Sequence, residues 1–104
     1  MDEPLRLAHT VRHLGDVHCE AGRADLAEPC YVEALTLYRS HEHTLPLDLA
    51  NAIRGLAALN DDDGKNQEAT HLWQEAHDLY ATCDVPAGAA ESVARIARLG
   101  TKKN

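Results

Sequence analysis

The chain has 104 residues, of which 44% are hydrophobic and 26% are charged, as is ordinary for one globular domain. Its formal net charge of −7 argues against binding to nucleic acid or to an anionic membrane, because both need clustered Lys and Arg. Three cysteines form no CxxC pair, and no apolar run resembles a secretion signal or a membrane span. These features predict a cytoplasmic protein with reduced thiols.

The first part of the chain predicts a helical hairpin. Six apolar residues at steps of three and four form one face of a first helix: Leu5, Leu7, Ala8, Val11, Leu14 and Val17. Gly22 ends this helix, since glycine adopts the left-handed C-terminal conformation without steric cost. Asp25 and Glu28 match a capping box, so the second helix is predicted to begin at Asp25 and to continue to Tyr38. The mostly polar residues 39–45 are predicted to form the frayed end of the second helix and a connection.

The same pattern returns in the rest of the chain. Helices are predicted over residues 47–60 and 66–81, with a turn at residues 61–64 between them. Three aspartates at the end of a helix oppose its macrodipole, so this turn is predicted to be solvated and locally weak. Its spacing does not match a calcium-binding loop. Residues 84–88 are predicted to form a loop. The apolar residues that mark a fifth helix are Val93, Ile96, Ala97 and Leu99.

The sequence repeats itself with a period of 42 residues. Residues 4–38 aligned with residues 46–80 give 12 identities in 35 positions, whereas about two are expected by chance. The identical pairs include Arg12/Arg54, Leu14/Leu56, Ala27/Ala69 and Tyr38/Tyr80. A period of this size indicates stacked supersecondary units, whose function usually lies in the surface that stacking creates.

The repeat resembles the tetratricopeptide repeat. The first copy carries its signature at Val11, Leu14-Gly15, Ala27, Tyr31 and Ala34, and the second at Ile53, Leu56-Ala57, Ala69, Trp73 and Ala76. The period of 42 residues is similar to that of the kinesin-light-chain-like subclass found in many bacterial proteins. The resemblance implies an all-α, right-handed solenoid of five antiparallel helices.

This solenoid is expected to be a single domain over residues 1–104. Its predicted parts are repeat one (4–45), repeat two (46–87), a half repeat or capping helix (88–100) and a disordered tail (101–104). Leu14 and Leu56 are expected to hold the stack together with the alanines Ala27 and Ala69.

The resemblance also implies a concave groove built from the first helix of each hairpin. The residues expected there, called the groove residues below, are His9, Arg12, His13, Asp16, Asn51, Arg54, Ala58 and Arg98. Arg12 and Arg54 lie one repeat apart and could hold a carboxylate of a peptide. The alternative is that both arginines are solvated or pair with Asp16 or Glu20 of the same chain. The carboxylate clamp of the family is not expected, because Asp16 and Gly55 replace its asparagines.

No pattern in the sequence predicts catalysis or a bound cofactor. There is no readable Ser-His-Asp or Cys-His arrangement and no glycine-rich phosphate loop. His9 and His13 lie one helical turn apart, but the sequence places no third metal ligand near them, so no metal site is predicted.

The sequence therefore predicts a non-enzymatic protein–protein interaction scaffold that binds a peptide or a helix in its concave groove. Three alternatives remain open. The chain could self-associate through its apolar end faces, belong to a longer array of repeats, or act as a regulatory module attached to an enzyme or transcription factor.

Overall fold

The computed structural model describes residues 3–101, which form five α-helices and no β-strand. The helices are α1 (Glu3–Glu20), α2 (Ala24–Arg39), α3 (Pro46–Asp62), α4 (Asn66–Thr82) and α5 (Pro86–Gly100). Side chains at positions 9 and 16 of α1 contact positions 38 and 31 of α2, so these helices run antiparallel. The predicted all-α helical repeat solenoid is confirmed. The predicted tail falls largely on residues 102–104, which lie outside the described part of the chain.

Small residues form the core at the points where helices cross. Within residues 3–101, the completely buried alanines are Ala8, Ala27, Ala34, Ala50, Ala52, Ala57, Ala69 and Ala76. Alanine lets two helix backbones approach closely, and the aromatic rings of Tyr31 and Trp73 are buried together with these alanines. The packing role expected for Ala27 and Ala69 is thus confirmed.

The ring of Tyr31 lies between α1 and α3, where glycines leave room for it. A Cβ atom at Gly55 would lie 2.5 Å from Cε1 of Tyr31, and one at Gly15 would lie 3.0 Å from the same atom. Both approaches are tighter than ordinary van der Waals contact. The absence of a side chain at these two positions therefore fixes the distance of α1 and α3 from α2.

The predicted starts of the second and fifth helices are wrong. The second helix begins at Ala24 after Arg23, and no side chain caps it, so Asp25 is not the N-cap residue. Asp25 instead lies in the first turn, where a negative charge favours the helix dipole. The fifth helix begins at Pro86, so Gly88 belongs to the helix and not to a loop. Gly88 is needed there because a Cβ atom would lie 2.6 Å from the ring of Tyr80.

The expectation that Leu14 holds the stack is also wrong. Leu14 is 46% exposed, whereas its counterpart Leu56 packs against the core. The difference arises because α2 packs against α3 and covers Leu56, while no helix among residues 3–101 covers the same face of α1.

Candidate functional site

Two tyrosines one repeat apart position two groove residues. The hydroxyl of Tyr38 lies 2.6 Å from Nδ1 of His9, and the hydroxyl of Tyr80 donates to Oδ1 of Asn51 over 2.7 Å. Nε2 of His9 lies 3.8 Å from Oδ2 of Asp48. Burial raises the pKa of both tyrosines, so both hydroxyls stay protonated at neutral pH. In each repeat, therefore, a tyrosine of the second helix orients the side chain at the equivalent position of the first helix.

Arg12 and Asp16 pair with each other on α1. Nη1 of Arg12 lies 3.3 Å from Oδ2 of Asp16, and Tyr31 donates to the other carboxylate oxygen over 2.5 Å. Burial, and then the hydrogen bond to Asp16, raise the pKa of Tyr31. Of the two alternatives for Arg12, the structure shows pairing with Asp16. The Arg12 side chain is only 15% exposed, so a partner can reach little of it.

Arg54 forms a bidentate ion pair that joins α3 to α5. Its Nε and Nη2 atoms donate to the two carboxylate oxygens of Glu91 over 2.6 and 3.0 Å. Arg54 lowers the pKa of Glu91 by direct hydrogen bonding. Both side chains remain partly exposed, at 47% and 30%. The pair therefore lies on the surface, where a ligand can contact both charges.

Arg98 binds the carboxylate of Asp61, a residue that the sequence predicts to lie in a solvated turn. Asp61 lies inside α3 and its side chain is 1% exposed, so the predicted solvated turn is wrong at this position. Arg98 and Arg95 donate to its Oδ2 atom over 2.5 and 3.1 Å. The Arg95 guanidinium also lies 5.1 Å from the ring centroid of Trp73, a favourable cation–π distance. This cluster ties the end of α3 to α5 and α4.

The remaining groove residues, His13 and Ala58, are placed differently from each other. His13 is exposed, and its Nε2 atom lies 3.5 Å from Nη2 of Arg12. Ala58 is half-buried and packs against the core. Within residues 3–101, no three His, Cys, Asp or Glu side chains are grouped as metal ligands would be.

A recess lies beside the Arg54–Glu91 pair, between α3, the end of α4 and the start of α5. Its volume is about 540 Å³. It is lined by Leu47, Asn51, Arg54, Tyr80, Val85, Ala87, Gly88 and Glu91. It thus combines an apolar wall with the ion pair and with the Tyr80–Asn51 hydrogen bond. An apolar side chain with a hydrogen-bonding backbone beside it fits such a recess.

The sequence predicts Asn51 and Arg54 as groove residues but does not predict their hydrogen-bond partners. Tyr38 and Tyr80 are identical between the repeats, and this identity was a signal that they share a role. Glu91 carried no such signal, because its repeat counterparts are Arg6 and Asp48. Its position opposite Arg54 follows only from the packing of α5 on α4.

Comparison with known proteins agrees with this architecture. The sequence profile of the tetratricopeptide repeat matches residues 6–82, which is most of the chain. No curated protein and no solved structure matches the chain significantly. Among the helices formed by residues 3–101, none has the length and apolarity that a bilayer crossing requires. The profile match, the repeated Tyr–first-helix hydrogen bonds and the alanine crossings together show that the chain belongs to the tetratricopeptide repeat family.

Proposed function

We propose that the chain is a non-enzymatic interaction module that binds a peptide or a helix of a partner protein across α1, α3 and α5. Members of the tetratricopeptide repeat family generally mediate protein–protein interaction. The observation that supports the groove of this chain most is the pair of hydrogen bonds Tyr38–His9 and Tyr80–Asn51. They hold two polar side chains in equivalent positions before any ligand arrives. Such preorganisation lowers the entropic cost of binding.

The ion pairs of the groove restrict the chemistry of the partner. Arg12, Arg54 and Arg98 each hold a carboxylate of their own chain. A carboxylate from a partner would have to displace one of these, so the groove does not offer free arginines as a clamp. We therefore propose recognition by neutral hydrogen bonds to the peptide backbone, together with an apolar side chain in the recess beside Arg54.

Two finer assignments accompany this proposal. The 42-residue period supports the kinesin-light-chain-like, bacterial type of the family. The acidic composition and the three unpaired cysteines support a cytoplasmic location.

The test compares two arginines that form matched bidentate pairs in different places. Arg54 pairs with Glu91 between α3 and α5, and Arg39 pairs with Glu75 between α2 and α4 over 2.6 and 2.9 Å. Peptides selected from a random library against the wild-type protein are titrated into Arg54→Ala and Arg39→Ala. Because Arg54 forms part of the wall of the recess, we expect Arg54→Ala to bind about tenfold more weakly, a loss of about 1.4 kcal/mol, and Arg39→Ala to bind as the wild type does.

Stability separates a binding effect from a folding effect in this test. Both arginines are about half exposed, so each substitution should cost the fold at most about 1 kcal/mol. Equal affinity losses in the two variants, or no loss in Arg54→Ala, would place the binding surface elsewhere.

A further inference from the structure

The outer face of α1 is apolar and exposed, although the same face of α3 is an interface inside the molecule. Leu7 and Leu14 are each 46% exposed and Val17 is 60% exposed. Their counterparts one repeat later are Leu49, Leu56 and Leu59, which pack against the core. The face of α1 therefore has the composition of a helix–helix interface, with no helix among residues 3–101 against it.

The spacing along this face, called the α1 seam below, suits a second helix lying along it. The seam consists of Leu7, Thr10, Leu14, Val17 and, just beyond the end of α1, Ala21. These residues follow each other at steps of three, four, three and four, which is the a/d pattern of a two-helix coiled coil. A continuous seam of this kind favours a helix as its occupant over a single inserted side chain.

Charges beside the seam select the direction of the second helix. Arg6, His13 and Glu20 lie at intervals of seven along one edge, and all three are exposed. If two copies of α1 pair antiparallel, Arg6 of each copy faces Glu20 of the other. In the same arrangement Leu7 lies against Val17 and Thr10 against Leu14. If they pair in parallel, His13 faces His18 of the other copy and no opposite charges meet across the edges.

We propose that a second copy of this chain covers the α1 seam, so that two α1 helices pair antiparallel about a two-fold axis near His13. Such a contact is isologous and closes on itself, as most homodimers do. The seam is short, so the dimer is weak, with a dissociation constant on the order of 10 µM. The apolar seam residues Leu7, Leu14 and Val17 are not groove residues, and of the residues beside the seam only His13 belongs to the groove.

The opposite end of the molecule lacks comparable support. A recess of about 580 Å³ lies between α4 and α5, beside the exposed Val93. Its polar wall is formed by Gln74, His77 and Asp78, and no pair of complementary charges there selects a second copy. Val93 therefore serves as the control position for the α1 seam.

Sedimentation equilibrium of the full chain, from about 1 to about 500 µM, tests this proposal. The wild type should pass from monomer to dimer, whereas Leu14→Lys should remain monomeric and Val93→Lys should behave as the wild type. Both positions are about half exposed, so circular dichroism should show the same folded helix content in all variants. A wild type that stays monomeric throughout, or a Val93→Lys variant that alone loses the dimer, overturns the proposal.

A charge exchange tests the direction of the helices. Arg6→Glu places a second carboxylate against Glu20 at both ends of the antiparallel dimer, and it should raise the dissociation constant about tenfold. Adding Glu20→Arg restores both pairs with reversed sign, so the double variant should dimerise like the wild type. If the double variant is as weak as Arg6→Glu, the antiparallel arrangement is wrong.

Discussion

We expect the double substitution Arg95→Ala with Arg98→Ala to lower the free energy of unfolding by about 3–5 kcal/mol. The Asp61 carboxylate is 1% exposed, and both arginines donate to the same oxygen. Without them a buried charge loses its two cationic partners at the C-terminal end of a helix, where the dipole also disfavours it. Arg95 additionally loses its contact with the ring of Trp73. Urea unfolding followed by circular dichroism measures the effect.

The single substitutions show whether the two arginines act together. Each leaves one cation on Asp61, so each should cost clearly less than half of the loss in the double variant. Arg39→Ala, which breaks an exposed pair, should cost at most about 1 kcal/mol. Additive single effects would show that the two arginines act independently, and a double variant as stable as Arg39→Ala would show that Asp61 does not depend on this pairing.

Gly55→Ala should lower the melting temperature, although alanine is the better helix former. The added Cβ atom meets the Tyr31 ring at 2.5 Å, and the hydroxyl of that ring is fixed by its hydrogen bond to Asp16. Overpacking of this kind costs about 1–3 kcal/mol, which exceeds the gain of up to about 1 kcal/mol in helix propensity. We expect Gly55→Ala to lower the free energy of unfolding by about 1–2 kcal/mol.

Gly100→Ala is the matched control for this prediction. Gly100 also lies in a helix, but a Cβ atom there meets no atom within 4 Å. The same substitution should therefore raise the melting temperature slightly at position 100 and lower it at position 55. If both variants become more stable, Tyr31 has more room than the structure gives it.

The repeat made the architecture predictable from sequence. Several positions that are identical in both copies are completely buried in the structure. Examples are the pairs Ala27/Ala69 and Ala34/Ala76. They are predictable because alanine is required wherever two helices approach closely, and each repeat contains the same approach. The helical period also located all five helices, with errors confined to their ends.

The burial of Leu14, Leu56 and Asp61 depends on adjacent helices, and an alignment of the two repeats does not show these contacts. Leu14 and Leu56 are identical, yet only Leu56 is covered, because burial depends on the adjacent repeat and not on the residue itself. Asp61 lies in a run of three aspartates before a glycine, which is typical of a solvated turn. Asp61 points inward because α3 continues to Asp62, two residues beyond the predicted end, and its partners lie 34 and 37 residues later in the chain.

The pairing of the groove arginines could not be predicted from the sequence. The family resemblance pointed to Arg12, Arg54 and Arg98, and the structure shows each of them occupied by a carboxylate of the same chain. Only Arg12 lies within one helical turn of its partner. The other two pairs join different helices, so sequence spacing does not reveal them. This pairing changes the expected ligand from a free carboxylate to a backbone with an apolar side chain.

Amide chemical shifts of the isotope-labelled protein, followed while a library-selected peptide is added, test the groove most directly. We expect the largest shifts to cluster at His9, Asn51, Arg54 and Glu91, and the signals of Arg39 and Glu75 on the α2–α4 side not to move. Shifts concentrated on α2 and α4, or on the exposed face of α1 at Leu7 and Leu14, would contradict this expectation.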